Sequence, residues 1–322
     1  MRTHPFSYVA PLSRDEASDS LARPGAAPLG GGTDLLVWIA EGLGSPDLLV
    51  DLRKVADAAT ITASDHGVRI GASARLADIA IHPLIREQYG ALSSACESVG
   101  TPALRAMGTL GGNLCQRPRC WYLRRDIPCL KNGGSTCPAA TGENQYHAIL
   151  GGGPCFVVHP SDPAVALTAL DAEVEINGAR VAARRVPIAD LYVLPSQRMD
   201  SETILAADEY VSAIHLPLSS SGGTQRYDKL MQRGAWDFAL VSLAAARRSD
   251  GEVRLVLGGV APRPWRVTSS VEEDVASGGL DADAAEALAD RALYDARPLA
   301  RNEYKVKMAH TLLLRAMLEL GS

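Results

Sequence analysis

Long hydrophobic runs and blocks of one charge are both missing from this 322-residue sequence. No apolar stretch approaches the about 20 residues that a transmembrane helix needs, so we expect no membrane span. The 32 basic and 37 acidic side chains give a formal net charge of only −5. Without a long basic run, nothing indicates a nucleic acid or an anionic membrane as partner. The opening residues also lack the charged and then apolar segments of a secretion signal, so we expect none.

Cysteine is also scarce, since six residues are too few for a disulfide scaffold at this length. Five of the six nevertheless fall in one segment, between Cys115 and Cys155. In a chain without a secretion signal, such crowding favours metal or redox chemistry over disulfide bonding. Residues 115–154 have almost no apolar periodicity, and a loop of that length needs something other than a hydrophobic core to order it. We therefore predict a metal centre in residues 115–155, the cysteine-rich insert.

The rest of the chain has the composition of an ordinary folded protein, with 47% hydrophobic and 21% charged residues. Its length predicts two or three domains. The small polar segment at residues 219–223 is the best linker candidate, so we place a domain boundary near residue 220. Beyond it, we predict a hairpin that turns at Asp250-Gly251 and two C-terminal helices. This arrangement is α+β, with helices on one face of an antiparallel sheet.

Two glycine-rich segments are candidates for binding a nucleotide. In residues 30–35, three glycines would let backbone N–H groups approach a pyrophosphate closely. The segment matches neither a dinucleotide-binding G-x-G-x-x-G motif nor a P-loop, and an ordinary turn is the alternative. A second segment, residues 108–113, favours a nucleotide site because two such segments in one domain are harder to explain as turns. Ser161-Asp162 predicts a helix N-terminus, and Asp162 is also a candidate for contact with a ribose or a flavin edge.

Five segments in order carry a resemblance to a known family: GGGTDLL, TPALRAMGTLGGNL, HPSDPAVALTAL, KLMQRGAWDFALVSLAA and LGGVAPRPWR. The chain resembles, over nearly its full length, the FAD-binding subunit of the molybdenum hydroxylases, as in xanthine dehydrogenase and carbon monoxide dehydrogenase. The resemblance implies an α+β fold with a two-lobed FAD-binding domain at residues 1–220 (lobes 1–55 and 56–220). A C-terminal α/β cap with an antiparallel sheet and helices would follow at residues 221–322.

The same resemblance implies which residues contact FAD. They are Gly30, Gly31, Gly32, Thr33, Asp34, Leu35, Gly108, Thr109, Gly111, Gly112, Asn113, Asp162 and Lys229. The glycine segments would hold the pyrophosphate and the ribityl chain. Lys229 lies in the cap, and a solvated strand residue is its alternative interpretation.

The cysteine-rich insert is absent from most members of that family. It resembles the insert of the FAD subunits of periplasmic aldehyde oxidoreductase and, more loosely, of 4-hydroxybenzoyl-CoA reductase, which hold an extra [4Fe-4S] cluster. This implies four cluster ligands, Cys120, Cys129, Cys137 and Cys155, with Cys115 replacing Cys155 if the latter does not bind. A zinc site with four cysteines would order the insert equally well. A nearby flavin and the arginines of the insert favour iron, since cations offset the charge of a thiolate cluster.

The resemblance implies an electron-transfer subunit of a heterotrimeric molybdenum-containing aldehyde oxidoreductase. FAD would take electrons from a [2Fe-2S] small subunit, which receives them from a molybdenum-binding large subunit, and would reduce an external acceptor. No catalytic residue is expected, because the cofactor supplies the chemistry. A 4-hydroxybenzoyl-CoA reductase-like subunit and a zinc-stabilised nucleotide-binding module without redox activity are the alternatives. We expect a cytoplasmic location, or a periplasmic one by co-export with a partner that carries the signal.

Overall fold

Three sheets organise the part of the chain that the structure, a computed structural model, describes, namely residues 5–321. The strands are β1 (Ser7–Val9), β2 (Ala26–Leu29), β3 (Leu48–Asp51), β4 (Ile61–Ser64), β5 (Gly67–Gly71), β6 (Glu173–Gly178), β7 (Arg184–Pro187), β8 (Glu209–Pro217), β9 (Thr224–Leu230), β10 (Val241–Arg247), β11 (Val253–Gly258) and β12 (Trp265–Arg266). The helices are α1 (Arg14–Leu21), α2 (Leu35–Ala40), α3 (Leu76–Ile81), α4 (Pro83–Gln88), α5 (Gly90–Glu97), α6 (Pro102–Met107), α7 (Leu110–Leu114), α8 (Trp121–Arg124), α9 (Asp162–Ala169), α10 (Ile188–Leu191), α11 (Ser269–Ala276), α12 (Ala282–Ala292) and α13 (Tyr304–Leu320).

The first sheet is small and parallel, with the order β1-β3-β2. Parallel strands need crossover connections, which α1 and α2 supply here. Helix α1 begins where the side chain of Ser13 accepts a hydrogen bond from the backbone N–H of Glu16. The apolar side chains of Ala17, Leu48 and Val50 pack between this helix and the sheet. The first glycine segment follows β2 directly, so the sheet fixes where that segment begins.

Asp51 is the buried carboxylate at the end of β3. It accepts hydrogen bonds from the hydroxyl of Tyr8, at 2.6 Å, and from the guanidinium of Arg53, at 2.7 Å. Burial alone would raise the pKa of Asp51, but these hydrogen bonds lower it to about 2. The ionised carboxylate therefore stabilises the end of the first sheet.

Replacing Asp51 by asparagine is expected to lower the free energy of unfolding in a pH-dependent way. The depressed pKa contributes stability above the pKa of an unfolded aspartate, about 4, and this contribution is lost as the pH falls towards 2. The difference between wild type and Asp51→Asn, measured by urea unfolding, should thus be constant above about pH 5 and shrink below about pH 4. Asp65→Asn, at an exposed position, is the control. A difference that does not change with pH contradicts this account.

The second sheet is antiparallel and has the order β4-β5-β8-β6-β7. One of its faces is apolar and packs on helices α5 and α9. Every residue of helix α9 is buried, so the helix is enclosed on all sides. It contacts α5 and also strands β10 and β11 of the third sheet. Its position fixes the second sheet relative to the third.

The third sheet is antiparallel, has the order β12-β11-β10-β9, and is covered by α11, α12 and α13. The predicted hairpin is present as β10 and β11, and its turn contains Gly251 with a φ of 89°. Together with the second sheet, this gives the α+β architecture that the sequence predicts. No helix within residues 5–321 is both long and apolar enough to cross a membrane.

Two segments have a local structure that their sequence does not indicate. Residues 155–159, CFVVH, alternate like a strand but join no sheet. The carbonyl of Phe156 instead accepts a hydrogen bond from Ala148, and the N–H of His159 donates to Ala261, so these groups bond to loops. The second glycine segment, despite its three glycines, includes α7, which Thr109 caps by accepting a hydrogen bond from the N–H of Gly112.

Candidate functional site

A cleft of about 530 Å³ lies where the two glycine segments meet. The segments pack without room for side chains: a Cβ on Gly31 would lie 1.8 Å from the carbonyl oxygen of Met107, and one on Gly30 would lie 2.4 Å from Oγ1 of Thr109. Gly32 has a φ of 73°, which side chains rarely allow. These glycines are therefore required by close approach and by backbone conformation. The result is a cradle of bare backbone that fits the phosphates of a nucleotide.

The structure brings together nearly all the residues that the sequence assigns to the cofactor. Those that line the cleft are Gly30, Gly31, Gly32, Thr33, Asp34, Leu35, Gly108, Thr109, Gly112, Asn113, Asp162 and Lys229. Gly111 does not line it, because it packs into the core, where a Cβ would lie 2.8 Å from that of Ala72. Asn113 is oriented by Ser161, whose hydroxyl donates to its Oδ1 at 2.6 Å.

Asp162 and Lys229 form a buried ion pair at the wall of the cleft. Their side chains are only 5% and 4% exposed, and Nζ of Lys229 lies 2.8 Å from Oδ2 of Asp162. The hydroxyl of Tyr227 donates to the other carboxylate oxygen at 2.6 Å. Burial raises the pKa of Asp162, and the opposing ammonium lowers it. The interpretation of Lys229 as a solvated strand residue is therefore wrong. The pair links α9 to β9 and so joins the second sheet to the third.

Asp34 connects the first glycine segment to the cysteine-rich insert. Its carboxylate accepts a hydrogen bond from the backbone N–H of Arg117 at 2.7 Å and one from the guanidinium of Arg124 at 2.8 Å. It also forms an ion pair with Arg119 at 2.9 Å. The guanidinium groups of Arg117 and Arg124 each lie 4.8 Å from the ring centroid of Trp38. The insert thus packs on helix α2 and the glycine segment.

Sequence reasoning missed that the insert itself forms a wall of the cleft. Cys115, Gln116, Arg117 and Arg119 all line it, together with Trp38. The arginines of the insert were interpreted as charge compensation for a cluster or as a docking face. The sequence does contain a signal for this wall. Asp34 is a carboxylate next to the first glycine segment, and the arginines of the insert are the cations that could pair with it.

The four predicted ligand cysteines, Cys120, Cys129, Cys137 and Cys155, line one small cavity inside the insert. The interaction between the thiols of Cys137 and Cys155 lowers the pKa of Cys137 to about 6 and raises that of Cys155. Sγ of Cys120 lies 3.3 Å from Nε2 of His147. Four thiols on one cavity match the ligands of an iron–sulfur cluster or a four-cysteine zinc site in number and type.

The other two cysteines lie elsewhere, Cys96 in the core of α5 and Cys115 at the cleft. Within residues 5–321, no three His, Cys, Asp or Glu side chains form a close group around a single metal position.

The far end of the insert is held by the C-terminal helices. Lys305 is fully buried, and its Nζ donates to the carbonyl oxygens of Gly259 at 2.5 Å, His147 at 3.1 Å and Tyr146 at 3.3 Å. Nδ2 of Asn302 donates to the same His147 carbonyl at 3.1 Å. Burial lowers the pKa of Lys305 to about 7. The insert is therefore fixed at Asp34 on one side and at Lys305 on the other.

Comparison with known proteins gives two family models that match in sequence. The model described as the FAD binding domain in molybdopterin dehydrogenase matches residues 4–219, and that of the CO dehydrogenase flavoprotein C-terminal domain matches residues 225–320. The chain is 36% identical over 319 residues to the aldehyde oxidoreductase FAD-binding subunit PaoB of Escherichia coli strain K12, with 98% of each chain covered. It is 26% identical to the glyceraldehyde dehydrogenase medium chain of Sulfolobus acidocaldarius, again with 98% of each covered.

A solved structure of carbon monoxide dehydrogenase from Hydrogenophaga pseudoflava covers 100% of this chain and 98% of its own, with a TM-score of 0.75 at 23% identity. At this identity the likeness concerns the fold alone, and it confirms the predicted α+β class with antiparallel sheets and helices. The glycine cradle lies within the matched FAD-binding domain. The chain therefore belongs to the family of FAD-binding flavoprotein subunits of the molybdopterin dehydrogenases, which are oxidoreductases.

Proposed function

We propose that the chain is the FAD-binding electron-transfer subunit of a molybdenum-containing aldehyde oxidoreductase. Near full-length identity of 36% to the FAD-binding subunit PaoB supports this specific assignment. On this proposal, a large subunit holds the molybdenum cofactor, and a small subunit relays electrons through [2Fe-2S] clusters to FAD. An external acceptor then takes them. The division into an FAD-binding domain at residues 1–220, with lobes 1–55 and 56–220, and a C-terminal domain at residues 221–322 belongs to the same proposal.

The observation that carries the proposal is the cradle that the two glycine segments form. Residues 30–33 would hold the FAD pyrophosphate from one side, and Thr109 and Gly112 from the other. When bound, the isoalloxazine supplies the electron-transfer chemistry. This chain's residues would bind and orient it, and the Asp162–Lys229 pair would contribute a carboxylate and an ammonium, with no net charge, to the wall of the cleft.

Replacing Gly31 by alanine is expected to remove most bound FAD. The added Cβ would overlap the carbonyl oxygen of Met107, 1.8 Å away, so the two glycine segments must separate. An overlap of this kind costs about 1–3 kcal/mol, which corresponds to about a tenfold to hundredfold loss of affinity. Titration of the flavin-free protein with FAD, followed by flavin fluorescence, measures the change. Gly90→Ala, at a position with open space around the Cβ, should bind FAD like wild type. Equal affinities for both variants contradict the cradle.

The second part of the proposal is a [4Fe-4S] cluster held by Cys120, Cys129, Cys137 and Cys155. Their shared cavity supports it. So does Lys131, which lines the same cavity, because a cation near a thiolate cluster offsets its negative charge.

Metal and flavin content of the purified chain tests both parts of the proposal. About four iron atoms and four acid-labile sulfides per FAD are expected. Zinc without iron would overturn the cluster. Absence of FAD would overturn the flavoprotein function.

Electron transfer is tested after co-expression with the two partner subunits. Anaerobic addition of an aldehyde should bleach the flavin absorbance, and a flavin that stays oxidised contradicts the proposed route.

A further inference from the structure

We propose that Arg119 of the cysteine-rich insert is an FAD-binding residue that stabilises the pyrophosphate of the cofactor. The inference rests on the proposed function, because it takes FAD as the ligand of the cleft. Arg119 lines the cleft and also a neighbouring cavity of about 320 Å³. It therefore lies at the junction between the flavin cleft and the side of the insert that carries Cys120.

The guanidinium of Arg119 is held from three sides. One terminal nitrogen pairs with Oδ1 of Asp34 at 2.9 Å, and the other donates to Oε1 of Gln116 at 3.0 Å. The group also lies over the ring of Phe238, at 5.1 Å from its centroid. A guanidinium fixed in this way is preorganised, so little side-chain entropy is lost when a ligand binds.

One donor of this guanidinium is left over. Within residues 5–321, the buried Nε–H of Arg119 has no hydrogen-bond acceptor. A buried N–H without a partner is costly, and a ligand oxygen in the cleft would relieve that cost. The planar guanidinium fits phosphate oxygens in geometry as well as in charge.

The charges around Arg119 also favour an anion. Three carboxylates, Asp34, Glu41 and Glu202, face four cations on the insert, Arg117, Arg119, Arg124 and Lys131. Asp34 is shared by two guanidinium groups, so it does not neutralise both. A pyrophosphate is anionic in every redox state of FAD. Because Asp34 directly follows Thr33, its ion pair holds the guanidinium of Arg119 at the end of the first glycine segment, in the wall of the same cleft.

Arg119→Gln is expected to weaken FAD binding about tenfold or more, since a charge-assisted hydrogen bond to a phosphate is lost. The Kd is measured by fluorescence titration of the flavin-free full-length chain. Arg119→Lys, which keeps the charge but loses the Nε–H, should give a smaller loss. Arg125→Gln removes an exposed arginine of the same insert and should bind FAD like wild type. Riboflavin, which lacks the pyrophosphate, should lose little affinity in Arg119→Gln.

The outcomes separate this inference from the function on which it rests. If wild type binds no FAD, the proposed function fails. If wild type binds FAD and both Arg119 variants match it within twofold, only the role of Arg119 is overturned. Equal losses for FAD and riboflavin would also overturn the assignment to the pyrophosphate. If Arg119→Gln loses its iron, its FAD affinity no longer reports on Arg119 alone. Arg119→Lys is then the deciding variant, and an unchanged FAD affinity in Arg119→Lys overturns the proposal.

Discussion

Replacing Lys229 by methionine is expected to lower the free energy of unfolding by about 3–5 kcal/mol at neutral pH, because it leaves a buried carboxylate without its counter-ion. Asp162 would keep only the hydroxyl of Tyr227 as a side-chain donor. The pair also joins α9 to β9, so the loss acts at the contact between the FAD-binding and C-terminal domains. Urea unfolding of the full chain measures the difference.

The pH dependence of this variant follows from the same contact. Burial raises the pKa of Asp162, and the ammonium of Lys229 lowers it. In Lys229→Met only the effect of burial remains, so the pKa of Asp162 rises further. A carboxyl group with a raised pKa is tolerated in the fold when protonated, and it destabilises the fold as the pH rises above the unfolded value of about 4. The deficit of Lys229→Met should therefore be smallest near pH 4 and grow towards neutrality.

Two further variants test this interpretation of Lys229. Lys307→Met removes an exposed lysine of α13 and should leave stability nearly unchanged. Adding Asp162→Asn to Lys229→Met removes the unpaired charge and should restore part of the loss. If Lys229→Met and Lys307→Met are equally stable, the pair does not stabilise the contact between the domains.

The cysteine-rich insert should lose essentially all its iron when Cys129 is replaced by serine. A cubane cluster needs four thiolates, and serine is a poor substitute for a thiolate ligand of iron. The insert has little hydrophobic core of its own, so loss of the cluster should also disorder it. Since Arg117 and Arg119 line the cleft, FAD content should fall as well. Iron and sulfide assays, with the visible spectrum of the purified chain, measure the effect.

Cysteines outside the thiol cavity are the matched controls for this loss. Cys96→Ala changes a buried side chain of α5 and should keep the iron, as should Cys115→Ser at the cleft. Full iron content in Cys129→Ser would contradict the proposed ligand set. If Cys115→Ser loses its iron and Cys155→Ser keeps it, then the fourth ligand of the cluster is Cys115 and not Cys155.

The glycine cradle was predictable because its physical cause is written in the sequence. Three glycines in a row have no use in a strand or a helix, so residues 30–32 predict close approach of the backbone. The convergent cysteines were predictable for a related reason, since a long segment without apolar periodicity needs another source of order. Both signals are local.

What the sequence could not give depends on partners that are distant along the chain. Lys229 looks like a solvated strand residue until Asp162 is placed 2.8 Å away from it. Asp34 is a cofactor candidate by position, but its carboxylate is occupied by three arginines of the insert. Residues 155–159 alternate between buried and half-buried positions as a strand does, but their backbone groups bond to residues 148 and 261 and not to a sheet. In each case the sequence identifies the residue but not its neighbour in the fold.

The order of strands in the second sheet has a consequence for synthesis of the chain. Strand β8 is the last of this sheet to be made, yet it lies in the middle, pairing with β5 on one side and β6 on the other. Until Pro217 has left the ribosome, the hairpins β4-β5 and β6-β7 have no common strand, and their inner edges stay open. The cysteines at positions 120–155 emerge earlier. The thiols that would hold the proposed cluster are therefore accessible from solution before the surrounding domain has closed.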